Sequence, residues 1–266
     1  MMEVTQIEGR LLFLLGFPFL YLRSITFKYY CKVGFLFFLV GFACFWTIIL
    51  CVYKGRNMDN ARIFNKLLVL IKYFFGIKFK IQGLENLPVE DCYVMVANHQ
   101  GYLDYIALSE FLPPRCVPLA KKEFQFVGLL GLTSWLCGFF FIDREEKSRA
   151  INTMLHIQKT MVAKRFRVLI FPEGTRNHNS SMLPFKHGAF HLAVQAQVPV
   201  VPVVISSYHH FCSTIQKTFT KGECTIQILP KVETQGLKAD DVPELTKLVR
   251  DTMLKVFYQI SDEVKQ

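Results

Sequence analysis

The pattern of apolar and polar positions divides the chain into two parts near residue 58. The first part is dominated by long apolar runs, and residues 33–53 hold no charged side chain between Lys32 and Lys54. As an α-helix these 21 residues rise about 32 Å, which matches the hydrocarbon core of a bilayer. We therefore predict a transmembrane helix here, within a membrane-anchoring segment 1–58 that precedes a folded domain over 59–266.

An earlier apolar run covers residues 11–22 and contains Pro18. A cleaved signal peptide is one interpretation, but Glu3 and Glu8 lie where a basic leader is expected, and no small-residue cleavage site follows. We expect instead a membrane or interfacial helix that forms a hairpin with 33–53. Basic residues lie on both sides of that longer run, so the positive-inside rule leaves its orientation open.

Residues 60–76 form the next periodic stretch, in which Arg62, Lys66 and Lys72 interrupt apolar positions. The spacing predicts an amphipathic helix. Two interpretations stay open, because such a helix can lie on a membrane surface or pack against an ordinary core.

From residue 77 onward, short apolar runs alternate with helical stretches, which predicts an α/β domain with a mixed, mostly parallel sheet flanked by helices. A helix over 146–164 would place Ile151, Met154, Leu155 and Met161 on one face, and a last helix begins near Asp241. The prolines within 198–203 argue against a central, fully paired strand there. The predicted strands are 77–82, 92–97, 116–120, 139–142, 166–171, 198–205 and 224–229.

Composition narrows the possible partners. The chain is 52% hydrophobic and 20% charged, with 26 phenylalanines and a formal net charge of +10. These values exclude disorder, and the positive charge fits anionic lipid or a phosphorylated substrate. Without a nucleic-acid-binding signature, we expect no nucleic acid partner. The eight cysteines form no C-x-x-C pair, so we expect reduced, buried thiols and neither a disulfide framework nor a metal site.

The first motif that can carry chemistry is NHQGYLD at residues 98–104, directly after a predicted strand. It pairs His99 with Asp104. An aspartate that holds one imidazole nitrogen lets the other nitrogen act as a general base. Residues five apart point away from each other in an ideal helix, so this pair requires a loop or the start of a helix.

Anion-binding groups cluster in three later segments. The segment FPEGTR (171–176) follows another strand and offers a guanidinium fork, a hydroxyl and an accessible backbone. Arg144 ends a Phe-rich strand and is a second candidate phosphate ligand. Lys186 precedes a predicted helix start, which is a plausible anion site. Lys121 and Lys122 also follow a strand, although a charged turn is the simpler interpretation.

Taken in order, NHQGYLD, GFFFIDR, FPEGTR and VPVVPV resemble the motifs of the glycerolipid acyltransferases. The resemblance covers roughly residues 55–260 and is closest to the 1-acylglycerol-3-phosphate acyltransferases. The family usually has Ser where this chain has Gly101. That departure leaves His99 and Asp104 intact and bears on local positioning or substrate preference.

The resemblance implies transfer of a fatty acyl group from acyl-CoA to the sn-2 hydroxyl of lysophosphatidic acid, giving phosphatidic acid. His99 would be the base, oriented by Asp104, and no tightly bound cofactor is implied. The lipid bilayer would be the other partner, and the endoplasmic reticulum membrane the location, with the site facing the cytosol. The residues implied to hold the acceptor phosphate are Glu173, Gly174, Thr175 and Arg176, with Arg144 and Lys186 nearby.

Alternatives remain within and outside this chemistry. Another lysophospholipid or glycerol 3-phosphate could be the acceptor, and a non-catalytic lipid-binding membrane protein could keep the same fold. Residues 124–142 carry no charge, yet a span there would separate His99 from Arg176. We therefore predict that this segment folds against the domain as helix plus strand, partly sunk in one leaflet. The sequon at Asn179 would stay unglycosylated on the cytosolic face.

Overall fold

A computed structural model describes residues 18–88, 91–179 and 181–263. The α-helices are α1 (Ile25–Cys51), α2 (Ala61–Phe75), α3 (Asp104–Leu108), α4 (Gly128–Leu136), α5 (Lys147–Met161), α6 (Gly188–Ala196) and α7 (Val242–Glu263). The strands are β1 (Ile77–Gln82), β2 (Val94–Ala97), β3 (Cys116–Lys121), β4 (Phe140–Ile142), β5 (Arg167–Ile170), β6 (Val200–Ile205), β7 (Cys212–Ser213), β8 (Thr218–Phe219) and β9 (Gly222–Ile228).

A mixed, mostly parallel sheet forms the centre of the domain, which confirms the predicted fold class. Its strand order is β1-β9-β6-β2-β5-β3-β4, and β6–β9 is the antiparallel pair. The five strands β6-β2-β5-β3-β4 run parallel to one another. Parallel strands end at the same edge of a sheet, so the segments that follow them meet there. The seven predicted strands are present, and the short hairpin β7–β8 was not predicted.

The prediction that prolines exclude a central, fully paired strand over 198–203 is wrong about position, because β6 lies inside the sheet, but β6 pairs with β9 only over 203–205. Strand β6 is fully buried and pairs with β2 on one side and β9 on the other. Pro202 lies just beyond the last registered β6–β9 pair, Val203↔Ile228. Its carbonyl still accepts from the N–H of Leu229 (2.9 Å). Proline lacks a backbone N–H but keeps its carbonyl acceptor, so its place at the end of the antiparallel ladder explains why it is tolerated.

Helix α1 contains the whole apolar run up to Cys51 and packs one stripe against the domain. Residues 18–23 are also helical, and Ser24 separates them from α1 by capping its first turn through the N–H of Phe27 (3.2 Å). Among the described residues, Ile25–Lys54 is the one helix long and apolar enough to cross a membrane, by length and composition. The predicted hairpin partner 11–22 lies mostly outside the described residues.

The residues of α1 sort into two faces. The stripe against the domain is buried and comprises Tyr29, Val33, Leu36, Ala43, Cys44, Thr47 and Cys51. The opposite face leaves large apolar side chains exposed, among them Phe35, Phe38, Phe42, Phe45, Trp46 and Ile49.

The uncharged segment 124–142 folds against the domain as predicted, as helix α4 followed by strand β4. Helix α4 packs on α1, where the hydroxyl of Thr133 donates to the carbonyl of Cys44 (3.3 Å). Asn60 donates to the carbonyl of Leu136 (2.9 Å) and so fixes the end of α4 to the start of α2. His99 and Arg176 line one cavity, together with residues of this segment, so the segment does not separate them.

Helices α2 and α5 show how tertiary contacts select among apolar positions. Helix α2 buries Phe64 and Leu68, so one face packs on the core, whereas Tyr73 and Phe74 are exposed. A membrane-surface position of the exposed face stays a prediction. Helix α5 buries Ile157 and Met161. The predicted helix is present, but Ile151 and Leu155 are exposed, so the buried face lies to one side of the predicted apolar face.

Candidate active site

His99 and Asp104 form a hydrogen-bonded pair beyond the end of strand β2. The Nδ1 atom of His99 lies 2.6 Å from Oδ2 of Asp104, which is fully buried. Asp104 begins the short helix α3, so the chain turns between the two residues as their spacing requires. With Nδ1 engaged, Nε2 is the imidazole nitrogen that can take a proton from a substrate.

The carboxylate of Asp104 is held by the loop that leads to it. Its Oδ2 atom also accepts from the backbone N–H groups of Gln100 (2.6 Å) and Gly101 (2.9 Å). Its Oδ1 atom accepts from the hydroxyl of Tyr208 (2.6 Å). A carboxylate that accepts hydrogen bonds from several donors is fixed in its orientation.

Glu173 anchors the backbone of His99. Its Oε1 accepts from the N–H of His99 and its Oε2 from the N–H of Leu183, both at 2.8 Å. The side chain is buried, which raises the pKa of Glu173 despite those two hydrogen bonds. The His99 ring also stacks on Phe171, with 4.2 Å between ring centres. The loop after β5 therefore supports the loop after β2.

A cavity of about 380 Å³ opens beside His99. Its inner wall is mainly apolar and comes from α1, α2, α3, β3 and α4. The apolar and aromatic lining residues are Leu36, Phe37, Val40, Phe64, Leu68, Tyr102, Tyr105, Ile106, Pro118, Leu119, Ala120, Phe124, Leu130, Phe139 and Phe171. A cavity of this kind suits an extended hydrocarbon group, because burial removes apolar surface from water.

Cationic side chains line the same cavity near His99. Arg144 donates to the carbonyl of Gly174, and the guanidinium carbon of Arg176 lies 5.3 Å from the centre of the Tyr102 ring. Lys121 also lines the cavity and pairs loosely with Glu123 (3.4 Å). These groups give the cavity a positive rim that can attract an anion.

The remaining predicted phosphate ligands divide into two groups. Gly174 and Thr175 line the cavity, whereas Glu173 and Lys186 do not. Gly174 has φ +74°, and a Cβ atom there would lie 2.8 Å from Cε of Lys186, so glycine suits this turn. Lys186 thus lies over the turn, outside the cavity itself.

Sequence reasoning missed Tyr208 and undervalued Lys121. Tyr208 lies three residues past the end of β6, 104 positions from Asp104, so no local spacing connects them. The signal that could have found both is topological. Tyr208 follows β6, the neighbour of β2, and Lys121 ends β3, the neighbour of β5. The ends of such parallel strands meet at one edge of the sheet.

Comparisons with known proteins identify the family. The family model described as Acyltransferase matches residues 78–206. The 1-acyl-sn-glycerol-3-phosphate acyltransferase alpha of Homo sapiens is 47% identical over 92% of this chain and 87% of its own length. The 1-acyl-sn-glycerol-3-phosphate acyltransferase of Saccharomyces cerevisiae is 36% identical over 80% of this chain and 71% of its own.

A solved structure supports the fold. The LPA acyltransferase PlsC from Thermotoga maritima matches with a TM-score of 0.65 and 22% identity, over 89% of this chain and 95% of that one. Together with this shared fold, the family model and the relatives place the chain in the class of acyltransferases. More narrowly, the extent and identity of the sequence matches show that the chain belongs to the family of 1-acyl-sn-glycerol-3-phosphate acyltransferases.

Proposed function

We propose that this protein transfers a fatty acyl group from acyl-CoA to the sn-2 hydroxyl of 1-acylglycerol 3-phosphate, giving phosphatidic acid. The observation that carries the proposal is the His99–Asp104 pair beside a cavity with a positive rim and an apolar interior. One end of that cavity suits a phosphate and the other a hydrocarbon chain. The names of the relatives point to the same reaction.

His99 acts as the general base in this proposal. Its Nε2 takes the proton of the sn-2 hydroxyl while Asp104, bonded to Nδ1, stabilises the imidazolium. The hydroxyl oxygen attacks the thioester carbonyl and forms the ester C–O bond. The C–S bond then breaks, and the leaving thiolate takes the proton back from His99 as free CoA. The cycle needs no covalent acyl-enzyme and no tightly bound cofactor.

The acceptor phosphate lies against the rim. Arg144 and Arg176 supply guanidinium groups, and the turn at Gly174 and Thr175 supplies backbone and hydroxyl donors. Lys186 contributes positive charge from outside the cavity. Glu173 takes a different role from that of the other motif residues, because its oxygens are already engaged by backbone N–H groups and a carboxylate repels phosphate.

Membrane association is part of the proposal. The exposed apolar faces of α1 and α2, with Phe38, Trp46, Tyr73 and Phe74, would rest in the hydrocarbon or interfacial region. Acyl chains could then pass from the bilayer into the cavity without crossing water. We place the enzyme in the endoplasmic reticulum membrane with its site towards the cytosol.

Acyl transfer in membranes that contain this chain tests the proposal. Labelled oleoyl-CoA is offered with lysophosphatidic acid, glycerol 3-phosphate or lysophosphatidylcholine, for wild type and His99→Ala. We expect phosphatidic acid from lysophosphatidic acid with wild type and none above background with the variant. Preference for another acceptor would change the substrate. Folded, membrane-inserted wild type that acylates none of them would favour a non-catalytic lipid-binding protein.

A further inference from the structure

Tyr208 completes the set of groups that hold the Asp104 carboxylate. Its hydroxyl donates to Oδ1 at 2.6 Å, whereas His99 and the loop amides use Oδ2. The tyrosine is buried and does not line the cavity. It therefore reaches the reacting atoms only through Asp104 and His99.

The fold fixes Tyr208 in this position from both sides. The N–H of Ser207 donates to the hydroxyl of Ser261 (2.8 Å), and the carbonyl of Tyr208 accepts from the N–H of Cys212 (2.8 Å). The loop after β2 is tied to the end of β6 as well, because Asn98 exchanges hydrogen bonds with the backbone of Ile205 (2.8 and 2.9 Å). These hydrogen bonds hold the two loops against each other.

The hydroxyl of Tyr208 remains a donor at any working pH. Burial, together with the adjacent Asp104 carboxylate, raises the pKa of Tyr208 well above its ordinary value. Cys212 and Cys224 also face Asp104, and burial raises the pKa of each thiol to about 12, so both stay neutral. Two further titratable groups feel the Asp104 charge: His209, whose pKa burial lowers, and Glu173, whose pKa burial raises.

We propose that Tyr208 is a positioning residue that fixes the Asp104 carboxylate against His99 and moderates the negative charge His99 experiences. The part of this inference that concerns the reaction rate rests on the proposed function. Its geometric part, the effect on the His99–Asp104 hydrogen bond, stands without it.

Gly101 belongs to the same arrangement. A Cβ atom at this position would lie 3.1 Å from the Tyr208 hydroxyl oxygen, so any larger residue must displace that hydroxyl by a few tenths of an ångström. Gly101, where the family usually has Ser, therefore leaves room for the short hydrogen bond between the Tyr208 hydroxyl and Asp104. Gly101→Ala therefore perturbs the contact without deleting the hydroxyl.

The test compares Tyr208→Phe with Tyr93→Phe in the full-length, membrane-embedded enzyme. Tyr93 is an apt control because its ring is equally buried and its hydroxyl has no hydrogen-bond partner within the described residues. We expect Tyr208→Phe to lower kcat about 10- to 100-fold, because Asp104 can then shift and misalign His99, and a displacement of about 1 Å in a reacting group can lower the rate about 100-fold. The KM for the acceptor should stay within about twofold, since Tyr208 does not touch the cavity.

The pH profile gives a readout that a purely structural role would not move. Without the Tyr208 hydroxyl, the carboxylate stabilises the imidazolium more strongly, so the base becomes available only at higher pH. The acid limb of kcat should therefore shift upward in Tyr208→Phe, less in Gly101→Ala, and not in Tyr93→Phe. Unchanged kcat and an unchanged acid limb in Tyr208→Phe would overturn the proposal, as would a change confined to KM.

A measurement that does not need turnover separates this inference from the proposed function. In histidine-labelled protein, the Nδ1 proton resonance of His99 is identified by its disappearance in His99→Ala. We expect it to move in Tyr208→Phe and to stay in place in Tyr93→Phe. A resonance identical in Tyr208→Phe and wild type would refute the positioning role even if the enzyme accepted none of the tested substrates.

Discussion

Replacement of Glu173 by Gln tests whether this residue positions His99 or holds the acceptor phosphate. Glutamine keeps the size of the side chain but offers one acceptor oxygen where glutamate offers two. The N–H groups of His99 and Leu183 each donate to a different oxygen at 2.8 Å. In Glu173→Gln, one of these buried N–H groups must face an amide NH₂ and lose its partner.

The magnitude follows from those two hydrogen bonds. A hydrogen bond to a charged group contributes about 1.5–3 kcal/mol, and one of the two is lost. The neutral amide is easier to bury than the carboxylate, whose pKa burial already raises, and this offsets part of the loss. We expect destabilisation of about 1–3 kcal/mol, equivalent to a fall in Tm of roughly 2–12 °C for a chain of this size.

The kinetic effect should exceed what that destabilisation alone would produce. A displacement of about 1 Å in a reacting group can lower the rate about 100-fold. We therefore expect kcat to fall about 10- to 100-fold, with the KM for lysophosphatidic acid changed by less than about threefold. Initial rates and thermal unfolding of Glu173→Gln are measured beside Glu85→Gln, which alters an exposed glutamate in the short 3-10 helix after β1.

Two results would refute this reasoning. An increased KM with unchanged kcat and Tm would show that Glu173 contacts the phosphate. Full activity and stability would show that the two hydrogen bonds do not hold the His99 loop.

Three further predictions follow from the same geometry. Asp104→Asn and His99→Ala should each lower kcat about 10³-fold or more. The double variant should be no slower than the slower single variant, because paired groups act as a unit, and additive losses would contradict a shared role. Arg176→Ala and Arg144→Ala should each raise the KM for lysophosphatidic acid about 5- to 50-fold, and less at high salt because this rim is partly exposed to solvent. A change in kcat alone would argue against contact with the phosphate. Burial raises the pKa of Cys116 and of Cys224 to about 12, so neither thiol should react with iodoacetamide at pH 8 until the chain is unfolded. Rapid labelling of either cysteine in the native enzyme, detected by mass spectrometry, would contradict their burial.

The sequence determined the alternation of strands and helices, because apolar runs of strand length and their turn residues are local properties of the chain. Helix α7 shows this well, since its buried residues from Leu245 to Ile260 follow the helical period along the sequence. The His99–Asp104 pair was also readable, because both residues lie on one short loop. The other residues of the site could be predicted only because the ordered motifs resemble those of a known family.

Tertiary structure decided which groups these candidate residues contact, and so what each residue does. Glu173 reads as part of an anion-binding motif, yet backbone N–H groups from two other segments occupy its carboxylate. Pro202 reads as a strand breaker, yet it lies where the ladder between β6 and β9 ends. Tyr208 reaches Asp104 only because β6 pairs with β2. Strand order brings together residues far apart in the chain, and no local pattern of apolar and polar positions encodes that order.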